Sequence, residues 1–221
     1  MPARTETYDT IQARIHAASA PLGTAVRLLA VSKTQPAALA ARGQRDFGEN
    51  YVREALAKQR ELADPALCWH LIGPLQSNKC REAARHFDWL ESLDRPKLVP
   101  LLARERPAGS LPLNVLVQVN VDDEQSKSGC APDQALALCE AVAAQPRLAL
   151  RGLMAIPAPR ARMDARRASF RRMHALFASI RPRFPGFDTL SMGMSEDFEL
   201  AIAEGATEVR IGSALFGARP G

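Results

Sequence analysis

Lys33 stands where an apolar run gives out, in the stretch RLLAVSKTQP over residues 27–36. Leu28 to Ser32 reads as a buried strand, so the amine is expected at the strand's mouth. The chain is otherwise sparing with lysine: its 29 basic residues include only five, at positions 33, 58, 79, 97 and 127. A desolvated ammonium can lose its proton and attack a carbonyl carbon, whereas a guanidinium stays charged and inert. A single strand-end lysine is ordinarily a surface residue. Two further stretches shift that balance. SMGMSEDFE (191–199) and RIGSALFG (210–217) each follow a strand-like run with glycine and serine, the makings of small anion-binding turns. Gly193 would let backbone approach a ligand, and Ser195 would cap the next helix with its hydroxyl turned toward an anion. Gly212 and Ser213 would form a second such turn at a helix start. Glu196 and Asp197 argue the other way, because acids in a first helical turn compete with a bound phosphate.

These groups need a scaffold that brings strand ends together. An opening helix is expected over residues 5–19, where Tyr8, Ile11 and Ile15 share a face. Strand candidates follow at RLLAVS, RDFGE, CWHLIG, WLESL, NVLVQVN, LRGLMAI, TLSMGM and EVRIG, with helical stretches such as NYVREALAKQREL, PDQALALCEAVAA and ARRASFRRMHALFASI between them. Eight β/α units after one extra helix predict an α/β fold, a single (β/α)8 TIM barrel over residues 1–221. A doubly wound open sheet is the alternative, but no G-x-G-x-x-G follows the first strand. Closure would pair strand one with strand eight, setting Lys33 beside the 212–213 turn. With strands about 4.8 Å apart, Lys33 would lie roughly 10 Å from the strand-seven turn, a gap that a small aromatic aldehyde with a phosphate arm could span. Arg210 would sit beneath the ring as a fixed donor.

Composition narrows the classes. The 221 residues are 47% hydrophobic, enough for a sizeable core, and carry a net charge of +5. The basic run PRARMDARRASFRRMH (159–174) reads as a solvated helix face, and with aromatics at 5% no stacking set accompanies it. Neither nucleic acid nor a membrane is expected as a partner. Cys68, Cys80, Cys130 and Cys139 are isolated, without metal-ligand spacing, and read as reduced thiols. The first residues lack the apolar core of a signal peptide, so the expected location is cytoplasmic. Among other polar residues near strand ends, Asn50 divides between helix cap and cofactor contact. His70 reads rather as a satisfied core histidine, and Asp122 and Asp123 as a solvated loop. SKSG (126–129) lacks the upstream glycine of a phosphate loop.

The segments AVSKTQP, FGENYVRE, WHLIGPLQSNK, LRGLMAIPA, LSMGMSEDFELAI and VRIGSALFG together resemble the pyridoxal phosphate homeostasis proteins, the YggS/PROSC type. The likeness runs from about residue 27 to residue 217. It implies a barrel like the N-terminal domain of alanine racemase, and pyridoxal 5′-phosphate (PLP) held as a Schiff base on Lys33. It further implies phosphate contacts at Ser195, Gly212 and Ser213, and Arg210 facing the pyridine nitrogen. Asn50 is the remaining candidate for a cofactor contact.

Three functions suit a Schiff-base lysine beside a phosphate site. The resemblance implies a non-catalytic carrier serving intracellular PLP homeostasis, a monomer or weak dimer, with apo PLP-dependent enzymes as recipients. A PLP-dependent racemase or decarboxylase of the same fold is the alternative, and an aldolase acting on a phosphorylated sugar is the third. Arg210 cannot accept the pyridine proton and would weaken carbanion stabilisation, which favours the carrier.

Overall fold

The computed structural model describes residues 6–32, 36–124, 127–158 and 162–216. Eight parallel strands close into a barrel: β1 Arg27–Val31, β2 Asp46–Glu49, β3 Cys68–Leu71, β4 Trp89–Leu93, β5 Leu113–Gln118, β6 Leu148–Met154, β7 Thr189–Ser191 and β8 Glu208–Ile211. The seam is closed by β1 and β8, with Leu29 opposite Arg210 and Ala30 opposite Ile211. Helices α1 Tyr8–Ser19, α2 Pro36–Ala40, α3 Val52–Leu62, α4 Cys80–His86, α5 Leu98–Glu105, α6 Ala135–Ala143, α7 Met163–Ile180, α8 Phe198–Ala203 and α9 Ser213–Phe216 complete the order. The expected (β/α)8 barrel with an extra N-terminal helix is therefore the fold. Parallel strands covered by helices are buried on both faces, and β4 is buried at all five positions.

The extra helix has its own anchor. Thr7 caps α1 by accepting from the Thr10 amide, and Ile11 and Ile15 are buried. Burying each isoleucine contributes roughly 1.5–3 kcal/mol. The Arg14 guanidinium lies 4.6 Å from the Phe198 ring centroid and donates to Glu199 at 2.8 Å, tying α1 to α8. The four cysteines are free thiols, as expected, three of them buried.

The seventh strand is shorter than its sequence suggests. Thr189–Ser191 pairs, but the ladder stops before Gly193, whose φ of 94° is left-handed. A Cβ there would meet the Ala201 Cβ at 2.5 Å. This glycine serves the turn and the close approach of α8, and it also lines the cavity at this end of the barrel.

Candidate functional site

At the C-terminal end of the barrel lies a cavity of about 480 Å³, the face on which such barrels carry their sites. Asn50, Ser195, Arg210, Gly212 and Ser213 all line it. Lys33 lies outside the described residues. The cavity wall includes Val31, two positions earlier in the chain.

Loops from four strands set these positions. After β2, Asn50 lines the cavity with its backbone packed against the loop after β3, where a Cβ on Gly73 would sit 2.0 Å from the Asn50 carbonyl oxygen. The helix-cap reading of Asn50 is corrected, since Tyr51 occupies the N-cap of α3. Ser195 also departs from expectation. Asp197, rather than Ser195, is the N-cap of α8, and the Ser195 hydroxyl accepts from the Ala214 amide at 3.3 Å. That bond joins the turn after β7 to the turn after β8. Gly212 opens α9 as expected, its carbonyl accepting from Leu215 and Phe216 at 3.1 and 2.9 Å.

The acids next to Ser195 are occupied. Asp197 Oδ1 accepts from the Met194 amide at 2.8 Å. Arg166 of α7 lies 3.6 Å from Glu196 and 3.9 Å from Asp197, countering their charge beside the cavity. Arg166 lines the cavity with a side chain only 19% exposed, so the basic run is not wholly a solvated face. Lys127 lines it as well, donating to the carbonyls of Ile156 and Pro157 at 3.2 and 2.6 Å. Sequence reasoning passed over both, and the scarcity of lysine was the available signal for Lys127. Asp122 is a further correction. Its carboxylate is buried and accepts from the Ala158 amide and the Ser169 hydroxyl, each at 2.7 Å, with Arg172 as a third donor. It fastens the loops after β5 and β6 to α7.

Beneath the cavity the barrel interior is polar. Arg210 donates to the Ser191 hydroxyl at 2.7 Å and to the Ala155 carbonyl at 2.8 Å. Ser191 donates to Glu91 at 2.8 Å, and Glu91 meets His70 Nδ1 at 2.7 Å. The other ring nitrogen, Nε2, faces Asp46 at 3.3 Å, and the ring stacks on Trp89. His70 is thus the satisfied core histidine of the sequence reading. Burial pulls its pKa down, but Asp46, Cys68 and Glu91 outweigh this and hold it well above the ordinary value. Glu91 is lowered in turn: burial opposes ionisation, and the His70 and Arg210 charges overcome it. This column fixes Arg210 as a positioned donor at the cavity floor.

Glu208 is the unbalanced member. It is fully buried, its Oε1 has no partner among the described residues, and Arg27 reaches Oε2 only at 3.4 Å. Burial first, and the Glu91 charge second, push its carboxyl up to about 7. A raised carboxyl binds its proton more tightly in the native state, so its stabilising contribution is complete below the unfolded value of about 4.5. It is lost as pH rises from there to about 7. The loss is on the order of 3 kcal/mol. Glu208→Gln should remove that slope, leaving the variant more stable than the parent above pH 7 and no better near pH 4.5. Denaturant unfolding at both pH values checks this, and parallel stabilities would count against it.

The alanine racemase N-terminal domain matches residues 7–220. The pyridoxal phosphate homeostasis protein of Pseudomonas aeruginosa is 56% identical, over 97% of this chain and 95% of that one. That of Escherichia coli is 53% identical, over 88% and 86%. Among solved structures, PipY of Synechococcus elongatus with PLP bound is 40% identical with a TM-score of 0.79, covering 92% of this chain and 100% of that one. The fold and matched domain define an alanine-racemase-type barrel. Within that class, the chain belongs to the pyridoxal phosphate homeostasis protein family.

Proposed function

We propose that this chain is a non-catalytic PLP binder of intracellular PLP homeostasis, a single barrel over residues 1–221 that holds the cofactor through Lys33. The observation that carries the reading is the convergence of Asn50, Ser195, Arg210, Gly212 and Ser213 on one cavity at the end of β1. The donor set suits the group. Two turns coupled through Ser195 and Ala214 offer amides and hydroxyls to a phosphate, and Arg210 offers N–H groups but no proton acceptor. Lys33 would condense with the aldehyde, its nitrogen forming the C=N bond and the aldehyde oxygen leaving as water. When bound, PLP supplies an electrophilic carbon and an electron-accepting ring. The family relationship and the PLP bound in PipY support the same ligand. PLP-dependent apo-enzymes would receive the cofactor in the cytoplasm, from a monomer or weak dimer.

Titration with PLP and with unphosphorylated pyridoxal, followed by visible absorbance, tests this reading. The parent should saturate with PLP at far lower concentration. Charge-assisted hydrogen bonds to the phosphate are worth roughly 1.5–3 kcal/mol each. Gly212→Leu should therefore erase most of the preference by blocking close approach. Equal losses for both ligands would put the phosphate elsewhere, and no saturable band in the parent would end the proposal.

A further inference from the structure

Outside the cavity, a densely bonded cluster surrounds Ser32, the residue immediately before Lys33 in the sequence. Lys58 of α3 donates to the Ser32 carbonyl at 2.9 Å and lies 3.3 Å from its hydroxyl. The same ammonium bridges both Glu49 carboxylate oxygens, at 2.7 and 2.9 Å. The Ser32 hydroxyl donates to Glu49 as well, and the Ser32 amide donates to the Gly48 carbonyl at 3.1 Å. Every polar group of Ser32 is thereby engaged. Glu49 is 2% exposed at the end of β2, and the Lys58 side chain is 14% exposed. Neither residue lines the cavity.

Such a cluster is an unusual way to satisfy one serine. A backbone carbonyl at a barrel strand end needs one donor, which water can supply. Here a buried carboxylate and an ammonium are brought together, and each requires the other once it leaves water. A peptide unit is planar, so whatever holds the Ser32 carbonyl also orients the bond by which the chain leaves Ser32.

We propose that Lys58 and Glu49 form a clamp that positions Lys33 for its covalent bond to the cofactor. This rests on the assignment of Lys33 made above. Lys58 and Glu49 are positioning residues: they touch the backbone beside the nucleophile, and the cofactor's phosphate and ring are bound by other elements. The clamp should therefore act on the C=N bond and leave non-covalent recognition alone.

Two ligands separate the effects. PLP can bond to Lys33, whereas pyridoxamine 5′-phosphate carries an amine in place of the aldehyde and can only be held by the cavity. Two double variants remove both buried charges together, so that no lone ion is stranded. Lys58→Met/Glu49→Gln deletes the donor to Ser32, and Lys58→Gln/Glu49→Gln keeps a neutral one. Dissociation constants for both ligands would be measured alongside borohydride trapping on the peptide containing Lys33. In the Met variant, PLP affinity and trapped yield should fall about tenfold while pyridoxamine 5′-phosphate binds within about twofold of the parent, the expected cost of a slightly misplaced reacting group. The Gln variant should recover much of the loss. Parent-like trapping in the Met variant, equal losses for the two ligands, or unfolding of both variants would each overturn the clamp. A parent protein that is never trapped at Lys33 would overturn the Lys33 assignment itself, and the clamp with it.

Discussion

Lys33→Ala should abolish the borohydride-fixable cofactor and the visible band that accompanies it. It should leave a folded barrel that still binds PLP weakly. The change removes the amine that the family resemblance assigns to the cofactor, two positions after Val31, which lies in the cavity wall. The phosphate donors at Ser195, Gly212 and Ser213 would remain, each charge-assisted bond worth roughly 1.5–3 kcal/mol, so binding should weaken without vanishing. The stability of the apo-protein should change by no more than about 0.5 kcal/mol, the usual range for substitutions away from the core. Peptide mapping after reduction reads the result directly. In the parent, the cofactor mass should fall on the peptide spanning Lys33. Recovery of that mass on the peptide containing Lys127, which borders the cavity, would move the covalent site.

The barrel was legible because buried parallel strands write themselves as short apolar runs separated by amphipathic ones. RDFGE, CWHLIG and EVRIG all lie within a residue or two of the strands that form. TLSMGM overran because periodicity does not register that Gly193 leaves the strand region, with φ at 94°. The five-residue α2 and the four-residue α9 are too short to carry a helical period. Closure explains how Asn50, Ser195, Arg210, Gly212 and Ser213 can meet at one cavity, because strand ends on a closed barrel share a face; their selection among the residues of that face came from the glycine–serine turns and the family resemblance.

What stayed hidden depends on long side chains and on distant pairs. Arg166 and Lys127 reach the cavity from beyond the strand ends, and a residue's place in a helix or loop does not say where its head group settles. Lys58 and Glu49 are nine residues apart on different elements, and only their folded positions reveal the pair. Asp122 looked like an ordinary loop acid because the donors that reach it among the described residues come from positions 158, 169 and 172. The interior column offered one overlooked sign. WLESL places Glu91 in the middle of a run that is buried throughout, and a carboxylate there requires buried partners.

Incubated with the common amino acids, the PLP-loaded protein should show little or no racemisation, decarboxylation or transamination, yet should surrender PLP to an apo-enzyme. Electron withdrawal into the ring is strongest when the pyridine nitrogen is protonated, and Arg210, held by Ser191 and Ala155, has no lone pair with which to share that proton. Turnover also needs an acid or base poised over the reacting carbon. Among the described cavity residues, the ionisable groups are already engaged: Lys127 with two carbonyls, Asp197 with the Met194 amide, and Glu196 with Arg166. Well-oriented reacting groups are worth on the order of 7–11 kcal/mol, many powers of ten in rate, so described ionisable groups committed to other partners should leave only the slow background chemistry of the cofactor. Chiral chromatography, carbon dioxide release and keto-acid formation, run beside reactivation of an apo-enzyme, would measure both halves of the expectation. Steady turnover of any amino acid at ordinary enzymatic rates would defeat the carrier reading and restore a racemase or decarboxylase.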